Sequence, residues 1–239
     1  MGRMRGLVTL GYYLGLMPFG AAYALMRYRT REELMGVIAR RGRRALRLGG
    51  LSVEHTGEEN LPSGAYVLVY NESSWPDMLA KDALLWGRFA DRGAAAAEYG
   101  YMPFLKRALR KAGVALVPRG DRAGVDRVLE ELTAALCAGE RVAFGGEGRM
   151  SGIDGVIHFK RGAALLAIRS GTPLIPMASH GGHLLWPWRS LSLRPGTIRI
   201  GFGEPLSTQG LNDNNARELA DHAQSVVTSM YERFGREER

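Results

Sequence analysis

Two short stretches of this sequence hold side chains suited to acid–base and anion-binding chemistry. The first, residues 71–77 (Asn-Glu-Ser-Ser-Trp-Pro-Asp), directly follows the apolar run Tyr66–Tyr70. It supplies two carboxyl groups, Glu72 and Asp77, at the end of a predicted strand, where α/β sheets commonly bind ligands. Taken alone, the stretch also fits an ordinary helix start, because Pro76 suits a first helical turn and an acidic residue there complements the helix dipole.

The second stretch, Phe144–Arg149, is rich in glycine and also follows an apolar run. Its glycines allow close backbone approach and their amides can bind an anion, while Arg149 offers a guanidinium fork suited to phosphate. A third segment, Glu98–Arg119, carries basic residues that include Lys106, and a fourth, Gly171–Pro176, is a turn that leads into an apolar run. Each of these four signals is weak by itself.

Alternating apolar runs and helical periodicity predict the elements that must position these stretches. Helical spacing recurs between the runs and in a final helix from about Asp213. The pattern predicts an α/β fold with a mixed central sheet covered by helices. The seven predicted strands are Leu51–His55, Tyr66–Tyr70, Ala94–Ala97, Val114–Val117, Arg141–Phe144, Leu174–Ala178 and Thr197–Phe202.

The net charge of +8 is confined to residues 1–50, which hold ten arginines and two acids. Within them, Leu7–Met26 is an uncharged apolar run long enough to span a bilayer, but Pro18 and three glycines interrupt it. We predict that residues 1–48 form a membrane-associating helical hairpin, with Glu32–Leu48 as its second helix, that enters one leaflet. A full membrane span and a helix pair within the protein core remain alternatives. Basic residues that flank an apolar run favour anionic lipid over nucleic acid.

Cysteine and metal-ligand patterns are uninformative here. The single cysteine, Cys137, excludes an internal disulfide, and its helical context predicts a small buried apolar residue. No group of side chains has the spacing of a metal site, so the sequence predicts neither a metal nor a cofactor.

In their order and spacing, the four stretches together resemble the sequence blocks of the 1-acylglycerol-3-phosphate acyltransferase family, a group of glycerolipid acyltransferases. The first block of the family, Asn-His-x-x-x-x-Asp, matches residues 71–77, except that Glu72 stands in place of the His. The third block, Phe-Pro-Glu-Gly followed by Arg or Thr-Arg, matches residues 144–149, with Gly146 in place of the proline. The second and fourth blocks match residues 102–119 and 171–176. The resemblance extends over roughly residues 52–206.

The resemblance implies an acyltransferase domain over residues 49–239 that moves a fatty acyl group to a lysophospholipid hydroxyl in phospholipid biosynthesis. It implies acyl-CoA or acyl carrier protein as the thioester donor and no cofactor. The implied partners are the lysophospholipid, the acyl donor and an anionic membrane surface, without nucleic acid. The implied location is the cytoplasmic face of the inner membrane.

The resemblance also assigns roles to residues. In the family, the His of the first block is the general base and the Asp orients it, so the catalytic positions here are Glu72 and Asp77. The arginines that close the second and third blocks bind the acceptor phosphate. The substrate-binding residues implied or predicted are Asn71, Lys106, Arg119, Glu147, Gly148 and Arg149.

Glu72 leaves several alternatives open, because a free Glu titrates about two units below His and is the weaker base. Glu72 and Asp77 could face each other and share one proton. The base could instead be His158 or His180. The chemistry could be lost, in a natural homologue or a deliberately inactivated variant that binds lipid or acyl carrier without turnover. A last alternative keeps the acyl transfer but changes the acceptor to another lyso-lipid or a specialised metabolite.

Overall fold

The computed structural model describes residues 1–237 of the 239-residue chain. Within them, one sheet has the strand order β1-β7-β6-β2-β5-β3-β4. All seven predicted strands are present, and the prediction of a mixed sheet is confirmed. The strands are β1 Leu51–Thr56, β2 Val67–Tyr70, β3 Arg92–Ala96, β4 Val114–Val117, β5 Val142–Gly145, β6 Leu174–His180 and β7 Gly196–Phe202.

Five neighbouring strands, from β6 to β4, run parallel, whereas β7 runs antiparallel to β6 and pairs in parallel with β1. The carboxyl ends of the five parallel strands therefore meet at one edge of the sheet. At that edge Tyr70 lies opposite both Gly145 and Met177. This register brings together the loops that follow β2, β5 and β6.

Helices cover both faces of the sheet, and the side chains of β2 alternate between them. The helices are α1 Gly2–Leu10, α2 Met17–Arg27, α3 Arg31–Gly49, α4 Trp75–Leu84, α5 Leu105–Lys111, α6 Arg122–Cys137, α7 Gly162–Ser170, α8 Gly182–Leu185 and α9 Ala216–Glu237. Val67 and Val69 pack in the core under α6, α7 and α9, whereas Leu68 packs in the core under α3 and α4.

The predicted apolar run at the N-terminus is a bent pair of helices. A π-helical turn, Gly11–Gly15, continues α1, and α2 then departs at an angle of 42°. Arg41 of α3 donates to the carbonyl oxygens of Tyr12 and Tyr13 at 2.7 and 2.6 Å, at the end of the π-helical turn. These are carbonyl groups that a broken helix leaves without an intrahelical partner.

The third helix packs directly on the sheet domain. A Cβ on Gly42 would lie 2.8 Å from the backbone nitrogen of Ala83, so glycine is what lets α3 approach α4 so closely. Within residues 1–237, no single helix is long and apolar enough to cross a membrane; the bent pair Gly2–Gly15 and Met17–Arg27 passes on length and composition together.

Two further predictions concern the burial of Cys137 and the start of the final helix. Cys137, predicted to be buried, is exposed, because it is the last residue of α6 and lies off the apolar face of that helix. The final helix begins at Ala216 after a 3-10 turn, Asp213–Asn215, as the capping residues predicted. Glu238 and Arg239, the end of the predicted 49–239 domain, lie outside the described residues.

Candidate active site

Asp77 is fully buried in the first turn of α4 and is surrounded by hydrogen-bond donors. Its Oδ2 accepts the backbone N–H groups of Ser73 and Ser74, each at 3.0 Å, and the Ser73 hydroxyl at 2.6 Å. Its Oδ1 accepts the Ser179 hydroxyl at 2.7 Å. A Cβ on Gly182 would lie 2.4 Å from the same oxygen. These contacts fix the carboxyl group of Asp77 and fill both of its oxygens.

Glu72 faces away from that network and pairs with a lysine. Its Oε2 lies 3.2 Å from the Nζ of Lys81, a residue that is only 5% exposed. The same Nζ lies 3.4 Å from the carbonyl oxygen of Asn71 and 4.2 Å from the ring centroid of Tyr70. The alternative in which Glu72 and Asp77 share one proton does not fit this arrangement, because serines donate to both oxygens of Asp77 and Glu72 pairs with Lys81.

Two of the residues predicted to bind substrate, Asn71 and Lys106, do not line the cavity. Asn71 is fully buried, and its amide bonds the backbone of Ser179 in both directions, at 2.9 and 2.8 Å. It therefore joins the end of β2 to β6. Lys106 is exposed on α5. Neither residue lines the cavity described below, so the prediction that they bind substrate there is corrected.

The glycine-rich loop after β5 is fastened to the loop after β2 through Glu147. This residue is 2% exposed, and its carboxyl oxygens accept the backbone N–H groups of Ile157 at 2.9 Å and Glu72 at 3.1 Å. Burial raises the pKa of Glu147 to about 7, although these two N–H groups and Lys81 oppose the shift. A further hydrogen bond runs from the Ser151 N–H to the Glu72 carbonyl oxygen at 2.8 Å. The two loops thus form one connected structure.

A cavity of about 530 Å³ opens beside these loops. Its polar end is lined by Glu72, Lys81, Glu147, Gly148, Arg149 and Arg119. Arg119 lies 3.4 Å from Glu98, whereas no carboxylate within residues 1–237 lies within salt-bridge distance of Arg149. The structure therefore brings together five of the eight predicted site residues, with a guanidinium group left available for an anion.

The remainder of the cavity is mostly apolar and is walled on one side by the N-terminal helices. The wall residues from that segment include Met17, Ala21, Ala24, Leu34, Val37 and Ile38. Residues from the sheet domain that face them include Leu85, Trp86, Ala94, Leu105, Ala108 and Val114.

One buried carboxyl group links the two walls. Asp82 of α4 accepts a hydrogen bond from the hydroxyl of Tyr13 in the π-helical turn and another from the Trp86 ring at 2.9 Å. Burial raises the pKa of Asp82 to about 6, and the neighbouring Glu72 charge adds to that rise while the two donors oppose it. The N-terminal segment therefore reaches the site through a specific polar contact.

The two histidines considered as alternative bases lie outside the cavity. His180, at the end of β6, is buried against the ring of Tyr231 with centroids 4.6 Å apart. His158 is exposed in the loop before α7. Neither side chain lines the cavity, so the structure does not favour a base relocated to either position.

Residues 52–180, more than half of the chain, match the family model described as Acyltransferase. The chain belongs to the acyltransferase family. The region matched contains the loops after β2 and β5 and ends with β6, so it includes every predicted site residue.

Known relatives and one solved structure agree with this assignment. A 1-acyl-sn-glycerol-3-phosphate acyltransferase of Pseudomonas aeruginosa is 25% identical over 92% of this chain and 82% of its own length. The human 1-acyl-sn-glycerol-3-phosphate acyltransferase alpha is 26% identical over 77% of this chain and 65% of its own length. The crystal structure of the 1-acyl-sn-glycerophosphate (LPA) acyltransferase of Thermotoga maritima has the same fold, with a TM-score of 0.77 at 22% identity over 98% of each chain.

Sequence reasoning missed three charged residues that line the cavity of this acyltransferase: Arg41, Lys81 and Asp82. For Lys81 a signal was present, because it follows Asp77 by four residues and therefore lies on the same face of α4. For Arg41 and Asp82 no local pattern distinguishes them from the solvent-exposed charges nearby.

Proposed function

We propose that this chain transfers a fatty acyl group from a thioester donor to the hydroxyl group of a lysophospholipid of the 1-acylglycerol-3-phosphate type. The observation that carries the proposal is the single cavity in which Glu72, Arg119 and Arg149 adjoin a long apolar wall. Such a cavity suits an acyl chain and a phosphate at the same time. The names of the relatives support the same activity, and phospholipid biosynthesis is the context that we propose for it.

In the proposed reaction Glu72 accepts the proton of the acceptor hydroxyl as the oxygen attacks the thioester carbonyl carbon. The new C–O bond forms, the C–S bond breaks, and the proton then passes from Glu72 to the departing thiolate. Acyl-CoA and acyl carrier protein are both suitable donors, because each presents the same thioester. A Glu base is weaker than a His base at neutral pH, so we expect turnover slower than a His variant would give.

The arginines supply the proposed acceptor specificity. Arg149 is exposed and lines the cavity without a carboxylate partner among residues 1–237, and Arg119 lines the same cavity. A guanidinium group binds phosphate oxygens in a bidentate geometry. We therefore propose that these two residues hold the acceptor phosphate and that Glu147 and Gly148 shape the loop beside it.

The decisive test supplies radiolabelled acyl-CoA or acyl carrier protein together with lysophosphatidate. We expect labelled phosphatidate from the wild type and a rate about 10²- to 10⁴-fold lower from Glu72→Gln, because a general base is removed. The matched control is Glu218→Gln, an exposed carboxyl group on α9, which should leave the rate unchanged. Product from Glu72→His but none from the wild type would reject the proposal and indicate a disabled site.

One observation favours a second candidate, a lipid- or acyl-carrier-binding protein without turnover. The Glu72 carboxylate is already paired with Lys81, and an ion pair reduces the tendency of a carboxylate to accept a proton. This candidate predicts saturable binding of lysophosphatidate that survives Glu72→Ala, with no transfer from either donor.

We further propose that residues 1–27 associate with a membrane, at the cytoplasmic face of the inner membrane. The support is an outward-facing apolar surface beside exposed arginines at Arg3, Arg27 and Arg29. The outward apolar side chains are Met4, Leu7, Val8, Leu16, Phe19, Tyr23 and Met26. A lyso-lipid acceptor and its product both reside in membranes, which is consistent with this location.

A further inference from the structure

Lys81 is held in place by groups other than Glu72. Its Nζ lies 3.4 Å from the Asn71 carbonyl oxygen and 4.2 Å from the Tyr70 ring centroid, and Asn71 is itself fixed to Ser179. The side chain is 5% exposed. The ammonium group is therefore positioned before Glu72 binds it, unlike the mobile partners of an exposed ion pair.

Lys81 is a buried cation beside three carboxyl groups of the cavity, those of Glu72, Asp82 and Glu147. Asp82 and Glu147 also line the cavity, and the Glu72 charge raises the pKa of both. Lys81 acts on both in the opposite direction. Without the lysine, only the arginines that line the cavity would offset the repulsion between Glu72 and these carboxyl groups.

The geometry also leaves one oxygen of Glu72 available. Lys81 binds Oε2, and the backbone N–H and C=O of Glu72 are used by Glu147 and Ser151. Within residues 1–237, no hydrogen-bond donor contacts Oε1. One oxygen is thus fixed by the lysine, while the other is left to meet a substrate hydroxyl.

We propose that Lys81 is the positioning residue of this site, which fixes one oxygen of Glu72 and so directs the other toward the acceptor hydroxyl. This inference rests on the proposed function. In the proposed reaction Lys81 neither gives nor takes a proton, and the transferred proton moves from the hydroxyl to Glu72 and then to the thiolate. Lys81 thereby does for Glu72 what an orienting carboxylate does for a catalytic His, with the charges reversed.

The test compares Lys81→Met, Lys81→Gln, Glu72→Gln and the double variant Glu72→Gln/Lys81→Met, using acyl-CoA and lysophosphatidate over a range of pH. We expect kcat of Lys81→Met to fall about 10- to 100-fold with little change in KM. The acidic limb of its pH–rate profile should move to higher pH, because a cation next to the carboxylate is lost. The double variant should be no slower than Glu72→Gln alone, since both residues act through one carboxylate.

The matched control is Lys111→Met, because Lys111 also bonds a backbone carbonyl group, that of Tyr28 at 3.0 Å, but lies outside the cavity lining. It should leave the profile unchanged. If Lys81→Met does not fold, Lys81→Gln retains a donor for the Asn71 carbonyl while removing the charge, and the same shift of the acidic limb is expected.

Three results would overturn the inference. They are additive losses in the double variant, an acidic limb that does not move, and a faster rate in Lys81→Met, which would show that the ion pair restrains the base. Each of these presupposes transfer by the wild type and leaves the proposed function standing. Absence of transfer by the wild type from both donors rejects the proposed function and, with it, the catalytic role of Lys81.

Discussion

The two ends of the cavity are built in different ways. The polar end consists of the loops after β2 and β5, and buried side chains such as Asp77 and Glu147 bond its backbone directly. The apolar end takes one wall from the N-terminal helices, which reach the site through few polar contacts, Tyr13 with Asp82 among them. The outer surface of those helices is left apolar and exposed.

The two ends correspond to two different requirements of the proposed reaction, fixed polar groups and an apolar wall. Groups that act on a proton and a phosphate must be fixed before substrate binds, and the polar end meets this requirement with hydrogen bonds inside the protein. A wall that accepts a flexible acyl chain needs shape and apolarity more than exact positions. The following predictions test whether the two ends behave as differently as their contacts indicate.

The largest effect is expected from Asp77→Ala at the polar end. The substitution leaves two backbone N–H groups and three hydroxyl groups, from Ser73, Ser74 and Ser179, without their buried acceptor. We expect the free energy of unfolding to fall by about 3 kcal/mol or more, measured by urea denaturation. A loss below about 1 kcal/mol would show that the polar end is less rigid than its hydrogen bonds indicate.

The contact between the two ends should give stability a specific pH dependence. Burial raises the pKa of Asp82 to about 6, above the value of about 3.9 in an unfolded chain. The folded state then binds more protons than the unfolded state, so the contribution of Asp82 to stability falls as the pH rises from about 4 to about 6. The two-unit difference corresponds to at most roughly 3 kcal/mol.

Asp82→Asn removes this titration. We expect the stability of the variant relative to the wild type to increase between pH 4 and pH 7, measured by denaturation at several pH values. Glu147, whose pKa burial raises to about 7, contributes the same slope to both proteins and cancels in the difference. Parallel curves for the two proteins would contradict the prediction.

A smaller effect is expected on acceptor binding. For Arg149→Met we expect the KM for lysophosphatidate to rise about 10- to 100-fold, because a charge-assisted phosphate contact is lost. Arg119→Met should raise it less, since Glu98 already shares the guanidinium group of Arg119. Arg127→Met, on the exposed face of α6, is the control, and an unchanged KM in Arg149→Met would place the phosphate elsewhere.

The smallest effect concerns the outer face of the N-terminal helices. Phe19 is 73% exposed, so Phe19→Asp should leave folding intact while reducing partition onto anionic vesicles about tenfold, as measured by cosedimentation. Ser207→Asp, at an exposed position after β7, introduces the same charge elsewhere and should leave partition unchanged. Equal binding by both variants would mean that another surface contacts the lipid.

The sheet could be predicted from the sequence because each strand is a short apolar run with a clear end. The carboxyl ends of these strands also predicted that Glu72 and Glu147 lie near each other, since loops that follow parallel strands lie at one edge of the sheet. The N-terminal bend could not be predicted in the same way, because the π-helical turn is stabilised by Arg41, a residue 28 positions after Tyr13.

The ion pair between Glu72 and Lys81 also could not be predicted from the local sequence pattern. The first block places two carboxyl groups five positions apart, and no local pattern favours Lys81 over Asp77 as the neighbour of Glu72. Three serines keep Asp77 from pairing with Glu72, because they donate hydrogen bonds to both carboxyl oxygens of Asp77. Ser179 comes from β6, more than 100 residues away in the chain, so its contribution appears only once the sheet has formed.

The contact from Arg41 to the carbonyl groups of Tyr12 and Tyr13 has a consequence for the order in which the protein matures. The bend depends on the side chain of Arg41, which is synthesised after both helices of the bent pair. Arg41 reaches its position only when α3 has packed on α4. We therefore expect the bent pair of helices to reach its final shape late, once α3 has packed on α4.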